Sequence, residues 1–313
     1  MVQYYATIGE KLQQVAEPQS GGWVNIVPPL KNEEFIGLAD ELDIPIDFLR
    51  DSMDIDERSR YEVEDNVKLI VIKTPTENHS FNDSDAFYIT IPIVTILTHN
   101  HILTINSFDN LAIRRRFEGF LDQAALSRKE MVLKIFEKVV NNFMTYLKEI
   151  NHRRNLLEQK LYDSNNNADF LELVRIQKSL VYFVTSLRSN ELLMMKLERT
   201  NALGLNEEEI EYLNDLIVDN SQALEMANIY NNILTSTLDA FAGIISINQN
   251  QVLKRLTFIT IALQIPVLVA SIYGMNVPLP FQEYKWAFML PIVLALFLLI
   301  WLAWFNLRKM IRK

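Results

Sequence analysis

Two apolar runs near the end of the chain, residues 256–273 and 286–305, constrain its fold more than any other feature. Neither contains a charged side chain, and each is long enough to cross a hydrocarbon core as a helix. Lys254 and Arg255 precede the first run, and Arg308, Lys309, Arg312 and Lys313 follow the second, whereas the joining loop carries only Glu283 and Lys285. Under the positive-inside rule both termini are cytoplasmic and the short loop lies outside. Trp286 stands near one end of the second run and Trp301 and Trp304 near the other, where amphipathic rings favour the two interfaces. The alternative is a helical hairpin buried in a soluble protein. It would have to hide two charge-free runs, close together, against the rest of the chain.

Ahead of these runs the composition permits a sizeable soluble part and excludes several functions. Cysteine is absent, which removes disulfides, thiolate metal sites and thiol nucleophiles. The formal net charge of −9 is the wrong sign for a nucleic-acid binder. No phosphate-binding glycine loop, Ser/His/Asp arrangement or HExxH motif is present, so neither an enzyme nor an organic cofactor is expected. The first thirty residues show no basic patch followed by an apolar run, and no cleavable signal peptide is read there.

Residues 67–73, 85–91, 93–98 and 102–105 are rich in β-branched side chains and read as strands, with a hairpin turn at Thr98 to His101. Residues 31–43 read as helix. No proline occurs between Ile93 and Ile265, so the middle of the chain is free to be helical. Leu133, Phe136, Val140, Phe143, Leu147 and Ile150 alternate spacings of three and four, the stripe of a long helix. The polar run 163–167 ends it, and a second helix from Ala168 to about Asn201 folds back along the first. After Gly204, Asn206 is an N-cap with Glu209 at the capping-box position. A helix running unbroken from there to Met275 would be roughly 105 Å long at about 1.5 Å per residue. The expected organisation is a cytoplasmic α/β domain over 1–115, an antiparallel long-helix pair over 116–203 and a stalk helix over 204–275. The last part of that stalk, about 256–275, is the first span; an external loop (276–285), a second span (286–306) and a basic cytoplasmic tail (307–313) follow.

The first span is not uniformly apolar. Before Tyr273 its polar side chains are Thr257, Thr260, Gln264 and Ser271, at spacings that place all four on one helix face. The stripe continues back through Asn250, Ser246 and Asp239. A repeat near seven predicts left-handed supercoiling against identical neighbours. Polar groups in hydrocarbon face protein or water, and one subunit has too few helices to enclose a pore, so several copies are expected to line one. The alternative is that Thr and Ser bond their own backbone while Gln264 joins helices. The second span has no such stripe and is expected to face lipid.

Between Asn201 and Leu253 there is no lysine or arginine but eight carboxylates: Glu207, Glu208, Glu209, Glu211, Asp215, Asp219, Glu225 and Asp239. Such a segment leading to a pore would concentrate cations, although a solvated helix face has the same composition. His99 and His101 lack a third ligand nearby and read as turn residues, and Arg114, Arg115 and Arg116 as a solvated helix start.

At Tyr273-Gly274-Met275-Asn276, closing the first of two carboxy-terminal spans, the sequence resembles the CorA family of magnesium channels. Leu256-Thr257 at the start of the span, Pro266 within it and Glu283 before Trp286 in the loop belong to the same resemblance, which is looser in the first hundred residues. It implies a CorA-like funnel of five subunits, with α/β cytoplasmic domains, stalk helices continuous with the first span and an outer ring of second spans. It implies that Asn276 and the Gly274 carbonyl, with Met275, form the outer selectivity ring. Ser271, Val267, Gln264, Leu256, Asn250 and Asp239 match pore positions. Gln264 stands where the family commonly has a hydrophobic gate residue, and Val267 where it often has threonine. Asp215 matches a stalk carboxylate that, with a neighbouring subunit, binds intracellular Mg²⁺ and holds the pore shut. The ion implied is Mg²⁺, with Co²⁺, Ni²⁺ or a ZntB-like preference for Zn²⁺ as alternatives; the partners implied are further copies and membrane lipids in the cell membrane. A membrane-anchored helical scaffold without conduction is the alternative from a different class, and it predicts no polar stripe.

Overall fold

A computed structural model describes residues 2–8, 11–26, 32–78, 85–106, 126–164, 167–275, 284, 286 and 289–311. The triple-arginine position 114–116, Asn276 and Glu283 lie outside the described residues. Two compact units divide at Leu238 and Asp239.

The first unit is built on a seven-stranded sheet. Its strands are β1 (Val2–Ile8), β2 (Lys11–Val15), β3 (Trp23–Ile26), β4 (Arg60–Glu64), β5 (Val67–Glu77), β6 (Tyr88–Leu97) and β7 (Ile102–Asn106), in the order β2-β1-β3-β7-β6-β5-β4. All neighbours are antiparallel except β3 and β7. The two strands expected at 85–91 and 93–98 are one, β6, which continues through Pro92 opposite Lys73, while the described ladder to β7 reaches Ile93 opposite Asn106. The missing N–H of Pro92 therefore breaks no bond of that described ladder. Pro75 is accommodated likewise, since β4 ends opposite Val71. Strands β1 to β4 are short or polar and gave no comparable signal.

Alternation along β5 sends Leu69 and Val71 to one face and Ile70 and Ile72 to the other, and all four are buried. The first face joins Val94, Ile96 and Leu103 in a core closed by Phe35, Leu38 and Leu42 of α1 (Asn32–Leu42) and Phe48 and Leu49 of α2 (Ile46–Asp51). Against β5 and β6 pack α3 (Arg128–Ser164) and α4 (Asn167–Thr200). The predicted stripe from Leu133 to Ile150 on α3 is buried throughout. Phe143 meets Phe183 edge-on at 5.3 Å, and Arg153 lies 3.5 Å from Glu172, so α4 runs back along α3 as its short connection requires. Buried polar groups register these helices on the sheet: the Asn190 amide donates to Lys73 O, and its oxygen accepts from Lys73 N and Ser59 Oγ.

After α4 the chain turns through Asn201 and Gly204, both with positive φ. Lys68 Nζ donates to Ala202 O, and Lys129 Nζ donates to Gly204 O, so two cations hold carbonyls at the helix carboxyl end. The capping box then forms as predicted. Glu209 N donates to Asn206 Oδ1 and Asn206 N to Glu209 Oε2, each at 2.8 Å. From it α5 runs unbroken over Glu207–Tyr273, 67 residues or about 100 Å, with Pro266 inside. The last described helix is α6 (Met289–Ile311).

Candidate functional site

Continuity of α5 fixes the angular position of every candidate along it. Sorted by sevens, the residues form two adjacent ranks. One is Asn250, Thr257, Gln264 and Ser271, polar at every position. The other is Asp239, Ser246, Leu253, Thr260, Val267 and Gly274. Leu256 flanks the second rank. All of these residues are exposed in the single chain, including Leu256 at 58% and Val267 at 59%.

The opposite face of the same helix behaves differently. Between residues 242 and 272 the only side chains not fully exposed are Phe258, Ala262, Ile265 and Val269, at spacings of four, three and four. At about 100° per residue this stripe lies roughly 120–170° round the helix from the two ranks. On α6, Leu290, Pro291, Ala295, Leu298, Leu299 and Leu302 are likewise less than fully exposed. The sequence did not reveal this stripe, because apolar residues surround it on nearly every side.

Among the described residues one helix, that of Glu207–Ile272, is long and apolar enough to cross a membrane, and 6% of its most apolar stretch is buried. In α6 the corresponding apolar stretch is Met289–Leu302, which is shorter. Trp286 precedes the helix in a turn rather than opening it.

The polar groups of the ranks divide by how they are satisfied. Thr257 Oγ1 donates to Leu253 O and Thr260 Oγ1 to Leu256 O, both at 2.9 Å, so these hydroxyls spend their hydrogens on their own backbone. Asn250, Gln264 and Ser271 have no side-chain partner among the described residues. At the end of α5, Gly274 N donates to Ala270 O at 2.9 Å. A Cβ at Gly274 would lie 3.2 Å from that oxygen, so glycine eases this close approach. Met275 is exposed.

Seven of the eight carboxylates of the acidic segment, Asp215 among them, are exposed, Glu209 of the capping box is half-buried, and none of the eight pairs with a cation among the described residues. Their helix is held from its other side. Asn220 Nδ2 donates to Leu187 O, and Lys134 Nζ to both Glu137 Oε2 and Tyr212 Oη. Hydrogen bonding to Glu137 and Tyr212 raises the Lys134 pKa. No cluster of three or more metal-ligating side chains occurs among the described residues. The His99 and His101 pair forms the β6–β7 turn, where Arg128 Nη1 donates to the carbonyls of Thr98 and His99 at 2.7 Å. A guanidinium at that turn disfavours a second cation, and burial followed by Arg128 lowers the His101 pKa.

Comparison with known proteins identifies the family and the fold. A cobalt/magnesium transport protein CorA of Methanocaldococcus jannaschii is 26% identical over 264 residues, covering 81% of this chain and 79% of the relative. The complete structure of the CorA magnesium transporter from that organism superposes with a TM-score of 0.82 at 23% identity, covering 97% of this chain and 96% of that one. The ZntB cytoplasmic domain from Vibrio parahaemolyticus gives a TM-score of 0.59 at 12% identity, covering 80% of this chain and 98% of that domain. At such identities these superpositions establish a shared fold. Residues 19–309 match the sequence family described as CorA-like Mg²⁺ transporter protein. That match spans nearly the whole sequence, and the chain belongs to the CorA-like Mg²⁺ transporter family, whose members are membrane transporters of divalent cations.

Proposed function

We propose that the chain is the subunit of a homo-oligomeric Mg²⁺ channel of the cell membrane, with the two ranks of α5 lining the pore. The observation that carries this reading is the division of one helix into opposite faces. One face carries a rank that is polar at every seventh residue from Asn250 to Ser271 and exposed in the single chain; the other carries the less exposed apolar stripe of Phe258, Ala262, Ile265 and Val269. A scaffold helix needs no polar rank, and a helix dissolved in lipid alone would not keep one. Five copies are expected from the family resemblance, with both termini cytoplasmic and α6 toward lipid.

Each part then has a physical task. The carboxylates from Glu207 to Asp239, unneutralised within the chain, raise the local concentration of divalent cations. Mg²⁺ releases its water reluctantly, so neutral oxygens at Asn276 and the Gly274 carbonyl suit it by binding the hydration shell. Asp215, exposed on α5, serves as a control site: a divalent cation bridges it to a carboxylate of the next subunit, and loss of that ion lets the repelling acids separate. Preference for Mg²⁺ over Zn²⁺ is part of this proposal: the sequence relatives are named for magnesium or for cobalt and magnesium, whereas the likeness to ZntB is structural.

Purified protein in liposomes loaded with ion-sensitive dyes tests it. Mg²⁺ influx exceeding Zn²⁺ influx is expected, with Asn276→Ala removing that preference while the oligomer persists. Zn²⁺ influx exceeding that of Mg²⁺ would identify a zinc transporter, and absence of any flux would leave the scaffold.

A further inference from the structure

Gln264 is the only carboxamide between residues 256 and 273. It is exposed and has no side-chain partner among the described residues. The two threonines of this segment satisfy their hydroxyl hydrogens within one turn, but a carboxamide has two N–H donors and an acceptor oxygen that a helix backbone cannot serve in the same way. At membrane depth it requires water, a solute or a neighbouring chain.

Position in the ranks selects among these. Gln264 belongs to the wholly polar rank with Asn250, Thr257 and Ser271, far round the helix from the less exposed apolar stripe of Phe258, Ala262, Ile265 and Val269. Between Thr260 and Ser271 the ranks otherwise present only Val267. With an aliphatic residue at 264, a permeating ion would meet no polar side chain of the ranks for about 16 Å, and apolar constrictions of that kind empty of water.

We infer that Gln264 is a water-binding station at mid-membrane, its Oε1 accepting hydrogen bonds from the hydration shell of a divalent cation so that the ion passes this level still hydrated. The inference rests on the proposed pore. Its test uses the full-length protein in liposomes, with initial Mg²⁺ influx compared at matched amounts of assembled oligomer. Gln264→Leu keeps the bulk and helix preference but removes the hydrogen bonds, and influx is expected to fall about tenfold. Gln264→Asn keeps the amide and should stay within about threefold of the parent. Should Gln264→Leu fail to assemble, Gln264→Met, unbranched and without a donor, is read in its place. Influx through the apolar variant equal to the parent's overturns the inference. Faster influx also overturns it, because the amide would then be locking helices together rather than wetting a path. Ser271→Cys, treated with a water-soluble thiol reagent in this otherwise cysteine-free chain, separates the two levels. Block at Ser271→Cys with parental influx in Gln264→Leu defeats this inference alone, whereas no block at Ser271→Cys defeats the pore and this inference with it.

Discussion

The two units use the same apolar residue types in opposite ways. In Met1–Leu238, Leu69, Ile70, Phe136, Phe143 and Phe183 are sealed from solvent between sheet and helices. In Asp239–Lys313, Leu263, Phe297 and Ile300 stand 67%, 64% and 68% exposed, although their helices are the most apolar in the chain. The first unit supplies its own apolar surroundings; the second does not, and in the proposed channel lipid and other copies would supply them. What remains polar on the second unit is therefore informative, because each such group must find water or a partner in a place where both are scarce.

The contrast breaks most readily through paired truncations. Phe143→Ala should cost about 3–5 kcal/mol by opening a cavity beside Phe183, whereas Phe297→Ala, at a side chain mostly exposed in the single chain, should cost under about 1 kcal/mol. Thermal unfolding of the detergent-solubilised protein compares them, and equal losses would mean that α6 is buried after all. Asn190→Ala is next. It strands the backbone N–H and C=O of Lys73 under α4, and about 2 kcal/mol of stability should go, read as a lowered midpoint in the same experiment.

Much of this architecture was legible in the sequence, and the failures share a cause. The α3 stripe, the capping box at Asn206 and the long α5 were readable because local periodicity and cap chemistry agree with the final packing. Strand β3 escaped because its burial depends on neighbours distant in sequence, as Trp23 does on Thr104 through a 2.8 Å hydrogen bond, whereas β2 and β4 are part-exposed hairpin strands without an apolar run. Pro92 divided one strand into two on paper, since only the pairing with β5 shows that β6 continues through it. At the candidate site the polar seam was visible as spacing, but its separation from the less exposed apolar stripe needed the folded chain. Self-bonding by Thr257 and Thr260 needed coordinates too, and it leaves Asn250, Gln264 and Ser271 as the polar groups still seeking partners.

A smaller effect sharpens the comparison from the soluble side. No histidine lies beyond Leu238, so histidine titration reports on the first unit alone. Burial and then Arg128 hold the His101 pKa below its usual 6.5, with Glu41 opposing, so the folded form prefers the neutral ring. Unfolded chains take up the proton first. Stability should therefore decline as pH falls below about 6.5 and level off once the folded form protonates as well. His101→Gln should flatten part of that slope between about pH 7.5 and pH 5.5, and an unchanged slope would show that His101 does not contribute.

Single cysteines in a chain that has none of its own test the central claim most directly. Thiol reagents confined to water should react at Ser271→Cys and Asn250→Cys and block Mg²⁺ influx into liposomes, while Leu294→Cys and Leu298→Cys on α6 should remain unreactive and conducting. Equal reactivity of the two pairs, or modification at Ser271→Cys and Asn250→Cys without block, would contradict a pore along the polar ranks of α5.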